Sequence, residues 1–388
     1  MKQKDYMKKQ LKSAVLCLPL MASLHAVAAA PAKLPLELKD RRFSVYAMDF
    51  SANGEQVCIA GADHDDMGAT SGRLILIDRA RNAILWQKVV PVPDDYSGIF
   101  PVQCRPTEDR VYLLANVDTK SSPPITQTLT YVYSFDMKGQ QVAKQQLSNP
   151  TRNQYAYAMD VTKDGIKVAG YLKDVDEDFE YYSVFTATLN ASLQTQGEPV
   201  IRKNGAYTRF VGARIVGDNM YVAGTFAPAK VGKTALIDDF AASRLRLTGG
   251  YAWSARTNFG TRSGVRTGVA EDGTIYALRY TDNITTLLTV PPAGKPLPQQ
   301  SYSSRYCSTK AIAGYGKGLV AVREACDDSP KGSKNALIEI DPLTGKEVVW
   351  NSLSDEPLNI ATSGSSWALI AKNKDGKLYF YSSPTGMQ

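Results

Sequence analysis

The sequence predicts an all-β fold: a seven-bladed β-propeller of four-stranded antiparallel blades. The first observation is a repeat, in which an apolar run, a turn rich in Gly, Asp or Asn, and a second apolar run recur seven times. The second is a further strand pair after most copies, such as RLILIDRARNAILWQK at 73–88. Four short strands per repeat, with repeats spaced by roughly forty to sixty residues, are typical of a propeller.

The repeat is clearest in two stretches about a hundred residues apart. RRFSVYAMD at 41–49 and RNQYAYAMD at 152–160 share an arginine, a tyrosine and Ala-Met-Asp, and each continues through a turn into a second apolar run. No helical periodicity competes with the strand pattern after residue 30. The seven copies begin at Ala47, Val102, Ala158, Val211, Thr267, Ala311 and Asn359.

A circular array of blades has to close, and the last copy is one strand short. After its hairpin only KLYFYSSP remains, whereas LPLELK at 34–39 precedes the first copy. We expect residues 34–39 to form the outer strand of the last blade. This pairing would leave no open sheet edge.

The blade phrases LIEIDPLTGKEVVW and RLILIDRARNAILWQK resemble those of bacterial exported propellers with YVTN-type and PQQ-type repeats. The resemblance extends over nearly all of residues 31–388, which we expect to form one propeller domain. It implies the fold and no activity, because that group contains enzymes, subunits and scaffolds.

Residues 1–29 have the pattern of an export signal. A basic stretch, an apolar run over 14–24 that is too short to span a bilayer, and the small residues of HAVAAAPA predict cleavage near 28–30. We therefore expect a bacterial periplasmic or secreted protein with no transmembrane segment, monomeric on its own. Removing the five lysines and one aspartate of the signal lowers the formal net charge from +7 to +3, which gives no indication of nucleic-acid binding.

Four cysteines remain after cleavage and would meet an oxidising compartment. Cys307 and Cys326 flank the turn GYGKG symmetrically, so they would face each other across a hairpin. Cys58 and Cys104 then pair by elimination. Four free buried thiols are the alternative.

Few residues are available for catalysis or metal binding. His64 is the only histidine beyond the signal, so a site built on two histidines is excluded and a Ser/His/Asp triad would have to use His64. Its setting in GADHDDMGA indicates a solvated turn. Asp174, Asp176 and Asp178 resemble half of a calcium loop but lack its glycine and terminal glutamate. We expect no cofactor, with calcium as an open alternative; solvated loops are favoured for these acids and for those at 61–68 and 326–329.

Long loops between the second and third strands are predicted at 61–72, 115–129, 170–182, 224–234 and 323–335, all on one face, which we call the top. The segments that enter the innermost strands are rich in arginine and tyrosine, residues that often anchor interfaces. The alternative is that the tyrosines pack between blades and the arginines pair with Asp49 and Asp160. The candidate binding residues at the channel mouth are Arg42, Tyr46, Tyr96, Phe100, Arg152, Tyr155, Tyr157, Tyr207, Arg209, Arg262, Arg266, Tyr302, Arg305 and Tyr306.

These features favour a non-enzymatic periplasmic propeller that binds a protein partner with an acidic projection, as an envelope scaffold or an immunity-type inhibitor of a toxin. A second hypothesis is an enzyme: a cation-dependent hydrolase of lactones or phosphate esters, or the propeller subunit of a periplasmic dehydrogenase. A third is a carbohydrate-binding module, because aromatic platforms also bind sugars.

Overall fold

The computed structural model describes residues 31–384 with internal gaps. These gaps are residues 39–41, 66–69, 93–95, 120–127, 148–151, 175–181, 204–206, 228–238, 258, 260–264, 317 and 327–333. Only the backbone is described for residues 152, 173–174, 182, 203, 207–210, 225–227 and 239. Within the described ranges, no helix has the length and apolar character needed to cross a membrane.

All regular elements of the described residues are β-strands, as predicted. In chain order they are β1 (Ala32–Leu36), β2 (Arg42–Phe50), β3 (Gln56–His64), β4 (Thr70–Asp78), β5 (Ala83–Val90), β6 (Tyr96–Pro106), β7 (Arg110–Thr119), β8 (Thr128–Asp136), β9 (Gln141–Gln146), β10 (Arg152–Thr162), β11 (Gly165–Asp174), β12 (Tyr182–Leu189), β13 (Val200–Lys203), β14 (Tyr207–Val216), β15 (Asn219–Ala227), β16 (Asp239–Arg246), β17 (Tyr251–Thr257), β18 (Arg266–Val269), β19 (Ile275–Thr281), β20 (Ile284–Val290), β21 (Gln300–Ser303), β22 (Tyr306–Tyr315), β23 (Gly318–Ala325), β24 (Asn335–Ile340), β25 (Glu347–Leu353), β26 (Glu356–Ser363), β27 (Ser366–Lys372) and β28 (Leu378–Ser382).

The strands form a β-propeller of four-stranded antiparallel blades. Five sheets are separate four-stranded units: β10–β13, β14–β17, β18–β21, β22–β25, and β26–β28 with β1. Strands β2–β9 form one eight-stranded sheet, in which two antiparallel sets of four are joined by a single parallel bridge from Thr70 to Gly98. The first strand of each set, which we call an inner strand, contacts the next around a closed ring: β2, β6, β10, β14, β18, β22, β26 and back to β2.

The predicted closing strand is confirmed, with shifted bounds. Strand β1 covers Ala32–Leu36 instead of 34–39 and pairs antiparallel with β28, from Ala32 opposite Ser382 to Leu36 opposite Leu378. The Lys33 ammonium lies 3.0 Å from a carboxylate oxygen of Asp355, which also accepts a hydrogen bond from the Tyr381 hydroxyl at 2.5 Å. Polar contacts therefore reinforce the pairing of β1 with the last sheet.

Side chains of each sheet pack against both neighbouring sheets. Successive residues of a strand point to opposite faces, so the apolar run of β4 supplies two hydrophobic clusters. Leu74 and Leu76 pack in a cluster with residues of β6–β8, whereas Ile75 and Ile77 pack with residues of β27 and β28 such as Phe380. A sheet buried on both faces explains why the middle strands are continuously apolar.

Six of the inner strands carry a β-bulge at the same place in the repeat, directly before or at the first residue of each copy. The bulged residues are Tyr46, Val102, Tyr157, Val211, Lys310 and Leu358. Bulge carbonyls are held by side chains of neighbouring inner strands: the Thr267 hydroxyl donates to Val211 O at 3.3 Å, and Arg266 Nε to Lys310 O at 3.0 Å. A bulge disrupts the local ladder, so these bonds satisfy carbonyls there and connect adjacent blades.

The same bulge explains why the second apolar run of the repeat contains Ala-Gly, as at Ala60-Gly61 and Ala169-Gly170. Gly170 lies opposite Ala156, next to the bulged Tyr157, and a Cβ built on Gly170 would overlap the carbonyl oxygen of Tyr155. Gly61 has the same relation to the carbonyl oxygen of Ser44. Glycine is needed at these positions because the backbone of the inner strand approaches too closely for any side chain.

We expect Gly170→Ala to lower the free energy of unfolding by about 1–3 kcal/mol, the usual cost of overpacking. Gly72→Ala is the matched control, because its Cβ would meet only side-chain atoms of Ile99 and Val90, at 3.3 Å. Urea denaturation of the two variants measures the difference. A Gly170→Ala protein as stable as the control would contradict the close approach.

Both predicted disulfides are confirmed. Cys307 and Cys326 join the ends of the β22–β23 hairpin, with a Cα–Cα distance of 4.8 Å. Cys58 of β3 and Cys104 of β6 are 6.1 Å apart at Cα and connect the two halves of the eight-stranded sheet. The alternative of free thiols is therefore wrong for these four residues.

A fully buried arginine links two neighbouring sheets. Arg323 of β23 has no solvent exposure; its Nη1 donates to Glu347 Oε1 at 2.6 Å. Nη2 donates to the Thr285 hydroxyl of β20 at 2.8 Å and to the Tyr306 carbonyl oxygen at 2.9 Å. The guanidinium thus satisfies groups from both sheets inside their common interface.

Candidate functional site

The predicted mouth residues have several different environments. Arg42, Arg266 and Arg305 are exposed, as a binding role would require. Arg305 lies over the ring of Tyr306, 5.2 Å from its centre, and Tyr306 itself is buried in the hydrophobic cluster between the sheets. The arginines therefore remain accessible, whereas Tyr306 is a core residue.

Most of the described mouth tyrosines pack within the interfaces between blades. Tyr155 and Tyr157 lie on the buried Tyr171, with ring centres 4.9 and 5.4 Å away. The Tyr96 hydroxyl lies 2.6 Å from that of Tyr131, and the two rings meet edge to face. The packing alternative from the sequence therefore holds for these side chains, although each of the three is partly exposed.

The structure corrects the predicted position of Tyr302. It lies in β21, the outermost strand of its sheet, and packs against the cluster shared with β22–β24. Only Ser304 and Arg305 separate β21 from the inner strand β22, so the segment SYSSRY crosses from the outer edge of one blade to the inner edge of the next. Tyr302 is therefore remote from the channel mouth.

The ion pair predicted for Asp49 is also corrected. Asp49 is bound by Arg105 of β6, with Nη1 3.2 Å from Oδ1, and by Gln103 at 3.3 Å. None of the predicted mouth arginines whose side chains are described takes that position. Among the loops, 61–64, 115–119, 170–174, 224–227 and 323–325 belong to strands, so the top loops are shorter than predicted.

Several predicted residues cannot be placed as side chains. Arg262, Asp176 and Asp178 lie outside the described residues, and only the backbone is described for Arg152, Tyr207, Arg209 and Asp174. Across the described part of the chain, no group of three His, Cys, Asp or Glu side chains could hold a metal ion.

The exposed Tyr46 and the partly exposed Phe100 form an aromatic pair on adjacent inner strands, with ring centres 6.5 Å apart in an edge-to-face arrangement. Tyr46 is 41% exposed although it lies in the middle of β2. Burial raises the pKa of the Tyr46 phenol, and a hydrogen bond with the Ser44 side chain acts in the opposite direction. This pair is the part of the predicted aromatic mouth that the structure brings together.

His64 is not in a solvated turn, which corrects the prediction from the sequence. It is the last residue of β3 and is only partly exposed. Its Nε2 lies 2.9 Å from Oγ of Ser44 on the paired inner strand β2. In the register of these strands Ser44 faces Ala62 and Arg42 faces His64, so the three side chains of Arg42, Ser44 and His64 share one face of the sheet.

Two further groups define the surroundings of this Ser44–His64 pair. Asp63 points to the other face, where Arg73 Nε donates to its Oδ2 at 2.8 Å. Thr70 lies opposite His64 in the ladder between β3 and β4, is 3% exposed, and its hydroxyl has no hydrogen-bond partner among the described residues. The pair thus has a neighbouring polar hydroxyl, while Asp63, one of the two acids adjacent to His64 in sequence, is already paired with an arginine.

The Ser44–His64 distance suits proton transfer from a serine to an imidazole base. A nucleophile and its base normally lie within about 2.6–3.2 Å. Serine can donate to Nε2 only when the imidazole proton is on Nδ1, so the arrangement requires that tautomer. Sequence analysis missed Ser44 because its partner is 20 positions away and meets it only through the register of β2 and β3.

Comparison with known proteins identifies no family. No family model matches the chain, and no curated protein matches it. Among solved structures, one from an analysis of two prolyl endopeptidases has 16% identity and a TM-score of 0.46, covering 86% of this chain and 46% of that chain. An acylaminoacyl peptidase of Pyrococcus horikoshii has 7% identity and a TM-score of 0.48, covering 85% of this chain and 49% of that chain.

The chain therefore spans about half the length of each of these two solved chains. At such low identities the likeness concerns the fold alone and transfers no residue role. The sequence favoured a non-enzymatic scaffold or immunity-type inhibitor; that expectation is corrected in so far as these comparisons give it no support, both solved chains being peptidases.

Proposed function

We propose that this chain is a propeller with hydrolase activity, in which Ser44 is the nucleophile and His64 its general base. One observation carries the proposal: Ser44 Oγ and His64 Nε2 are 2.9 Å apart, and both residues are partly exposed. Tyr46, which is exposed and meets the partly exposed ring of Phe100, lies two residues from Ser44 and offers an apolar contact for a substrate. The reaction class is acyl transfer to water, with an ester or amide as substrate.

The chemical steps follow from the geometry of the pair. Ser44 Oγ would attack the carbonyl carbon while His64 Nε2 takes the hydroxyl proton, so one C–O bond forms. The bond to the leaving group then breaks, and His64 returns the proton to that group. Water repeats the sequence on the acyl-serine, which restores the hydroxyl. The hydroxyl of Thr70, which has no partner among the described residues, is a hydrogen-bond donor at this end of the first blade.

The proposal is tested by labelling with a fluorophosphonate, which forms a phosphonyl ester on an activated serine and releases fluoride. We expect one label per chain, located on Ser44 by peptide mass spectrometry. Ser44→Ala and His64→Gln should each lose the label, and hydrolysis of p-nitrophenyl esters should fall by about 10³-fold or more, as for other nucleophile–base pairs.

Ser97→Ala is the matched control. Ser97 is an exposed serine near the start of the next inner strand, and its hydroxyl donates to a backbone carbonyl oxygen of Asp118 at 3.3 Å instead of to a histidine. Its variant should label like the unmodified protein. Absence of labelling on Ser44, or equal labelling of Ser44 and Ser97, would overturn the proposal.

The finer description of the fold is also a proposal. Counting the eight-stranded sheet as two blades gives seven blades, and the closed ring of inner strands supports this count. Two disulfides support an oxidising compartment and hence a bacterial exported protein with the predicted signal. We propose on the same grounds that residues 31–388 form a single propeller related to the YVTN and PQQ repeat group.

A further inference from the structure

A row of three polar side chains crosses one face of the first blade beside Ser44. Arg42 on β2 faces His64 on β3, and His64 faces Thr70 on β4. Residues directly opposite each other in an antiparallel ladder point to the same side of the sheet. Ser44 lies on this side too, because it follows Arg42 by two residues. The row therefore places the Arg42 side chain on the same face as the proposed nucleophile and base.

Arg42 carries a charge that has no counter-ion in the described structure. Its side chain is exposed, and among the described residues no carboxylate lies within ion-pair distance of its guanidinium and no group accepts a hydrogen bond from it. Asp63 points to the other face of the sheet, where Arg73 Nε donates to its Oδ2 at 2.8 Å. Asp65 is exposed and already has an interaction partner. An anionic group of a ligand would therefore meet an unpaired cation on this face.

Arg42 can also be reached from an open cleft between β1 and the turn that precedes β28. The cleft has a volume of about 970 Å³ and is lined by residues 35–38, 42–43, 372 and 375–379. Glu37 and Asp375 are among the lining residues, but neither forms an ion pair with Arg42. A small molecule therefore has access to Arg42 from solvent.

The spacing of Arg42 and Ser44 limits where the anionic group sits on a substrate. Residues two positions apart are separated by roughly 7 Å along a strand. A guanidinium binds a carboxylate through two parallel N–H···O bonds, which an uncharged ester group cannot match in strength. Arg42 can therefore hold a carboxylate that is only a few bonds away from a carbonyl group attacked by Ser44 Oγ.

We infer that Arg42 is a specificity-determining residue that binds a carboxylate of the substrate. The substrates of the Ser44–His64 pair are then esters or amides that carry a negative charge a few bonds from the reacting carbonyl group. This inference rests on the proposed function for the reaction itself. The choice of an anionic substrate rests on the unpaired guanidinium and on its place in the row beside His64.

The inference is tested with three 4-nitrophenyl benzoates that differ only in the para substituent, which is a carboxylate, a methyl group or a trimethylammonium group. A para carboxylate cannot reach its own ester carbonyl, so it does not assist hydrolysis within the molecule. The readout is the ratio of kcat/KM for the carboxylate ester to kcat/KM for the trimethylammonium ester, with the methyl ester as the neutral reference. Because both values come from one protein sample, the ratio does not depend on how much of a variant is folded.

Arg42→Gln should lower this ratio about tenfold, mainly through a higher KM for the carboxylate ester. Arg42→Glu should lower the ratio further, because the new carboxylate repels the anionic ester and attracts the cationic one. Raising the NaCl concentration should lower the ratio of the parent protein but not that of Arg42→Gln, since salt screens exposed charges. A purely structural role of Arg42 would change the hydrolysis of both esters by the same factor.

Arg81→Gln is the matched control. Arg81 follows the end of β4 that is remote from Thr70, and its side chain is 78% exposed. The substitution removes the same charge from the same blade at a distance from Ser44. Its ratio should therefore equal that of the parent protein.

The outcomes separate this inference from the hydrolase proposal. Equal ratios for the parent protein and Arg42→Gln, with Ser44 labelled by the fluorophosphonate in both, would overturn the role of Arg42 and keep the hydrolase proposal. An equal fall of the ratio in Arg81→Gln would also overturn it, because the effect would then come from net charge alone. Absence of both Ser44 labelling and ester hydrolysis in the parent protein would overturn the two proposals together.

Discussion

Replacing Arg323 with alanine is expected to lower the free energy of unfolding by about 3–5 kcal/mol, as for other buried charge networks that lose one partner. The guanidinium is completely buried and makes hydrogen bonds to Glu347, Thr285 and the carbonyl oxygen of Tyr306. Its removal leaves a cavity, a carboxylate without its cation and a hydroxyl without its donor in one interface. Urea denaturation followed by tryptophan fluorescence measures the loss.

Arg305→Ala is the matched control for this prediction. Arg305 lies on the connection to the same inner strand, is exposed and contacts only the face of Tyr306 in the described structure, together with a backbone contact from its carbonyl oxygen to Cys326. Its loss should change the free energy of unfolding by less than about 1 kcal/mol. A similar cost for both variants would show that burial of Arg323 is not what makes it important.

Removal of the Cys58–Cys104 disulfide is the second large expected effect. The bridge spans 46 residues, compared with 19 for Cys307–Cys326. In the chain-entropy account, a longer loop constrains the unfolded state more, so the double alanine variants should lose about 4 and about 3 kcal/mol, respectively. Both bridges should also make the protein more resistant to urea in the absence of reductant.

The measurement compares each double variant with the parent in buffer with and without dithiothreitol. The free energy of unfolding of a variant that lacks both disulfides should be the same with and without dithiothreitol. This variant controls for other effects of the reductant. A larger loss from the shorter bridge would contradict the loop-length ordering, since Cys58 and Cys104 are also fully buried and their replacement can only add to the cost.

The strands and the closing of the ring could be predicted from the sequence because both depend on a local pattern. Apolar runs of six to nine residues with turn residues between them define strands buried on both faces, as in β3 and β4. The Ala-Gly step repeats because the bulge brings the backbones together at Gly61 and Gly170. Disulfide pairing followed from the hairpin around residues 315–318.

The site could be predicted only in part, because it depends on register. A single bulged residue reverses which face the rest of an inner strand presents. Tyr46 and Phe100 were found from composition, but the partner of Asp49 proved to be Arg105. His64 looked like a loop residue among aspartates, yet the strand continues to it and aligns it with Ser44.

The ring of sheets is closed only by the noncovalent pairing of β1 with β28, two strands from opposite ends of the described chain. Ala32 and Ser382 meet although 350 residues separate them, and neither disulfide crosses this seam. Contacts between such distant positions form late in folding, because the intervening chain has to be organised first. Strand β1 can also detach from β28 while the strands of every other blade stay paired. Backbone amides of β1 should therefore exchange with solvent sooner than those of the inner strands, because the β1–β28 pairing opens before the other strand pairs.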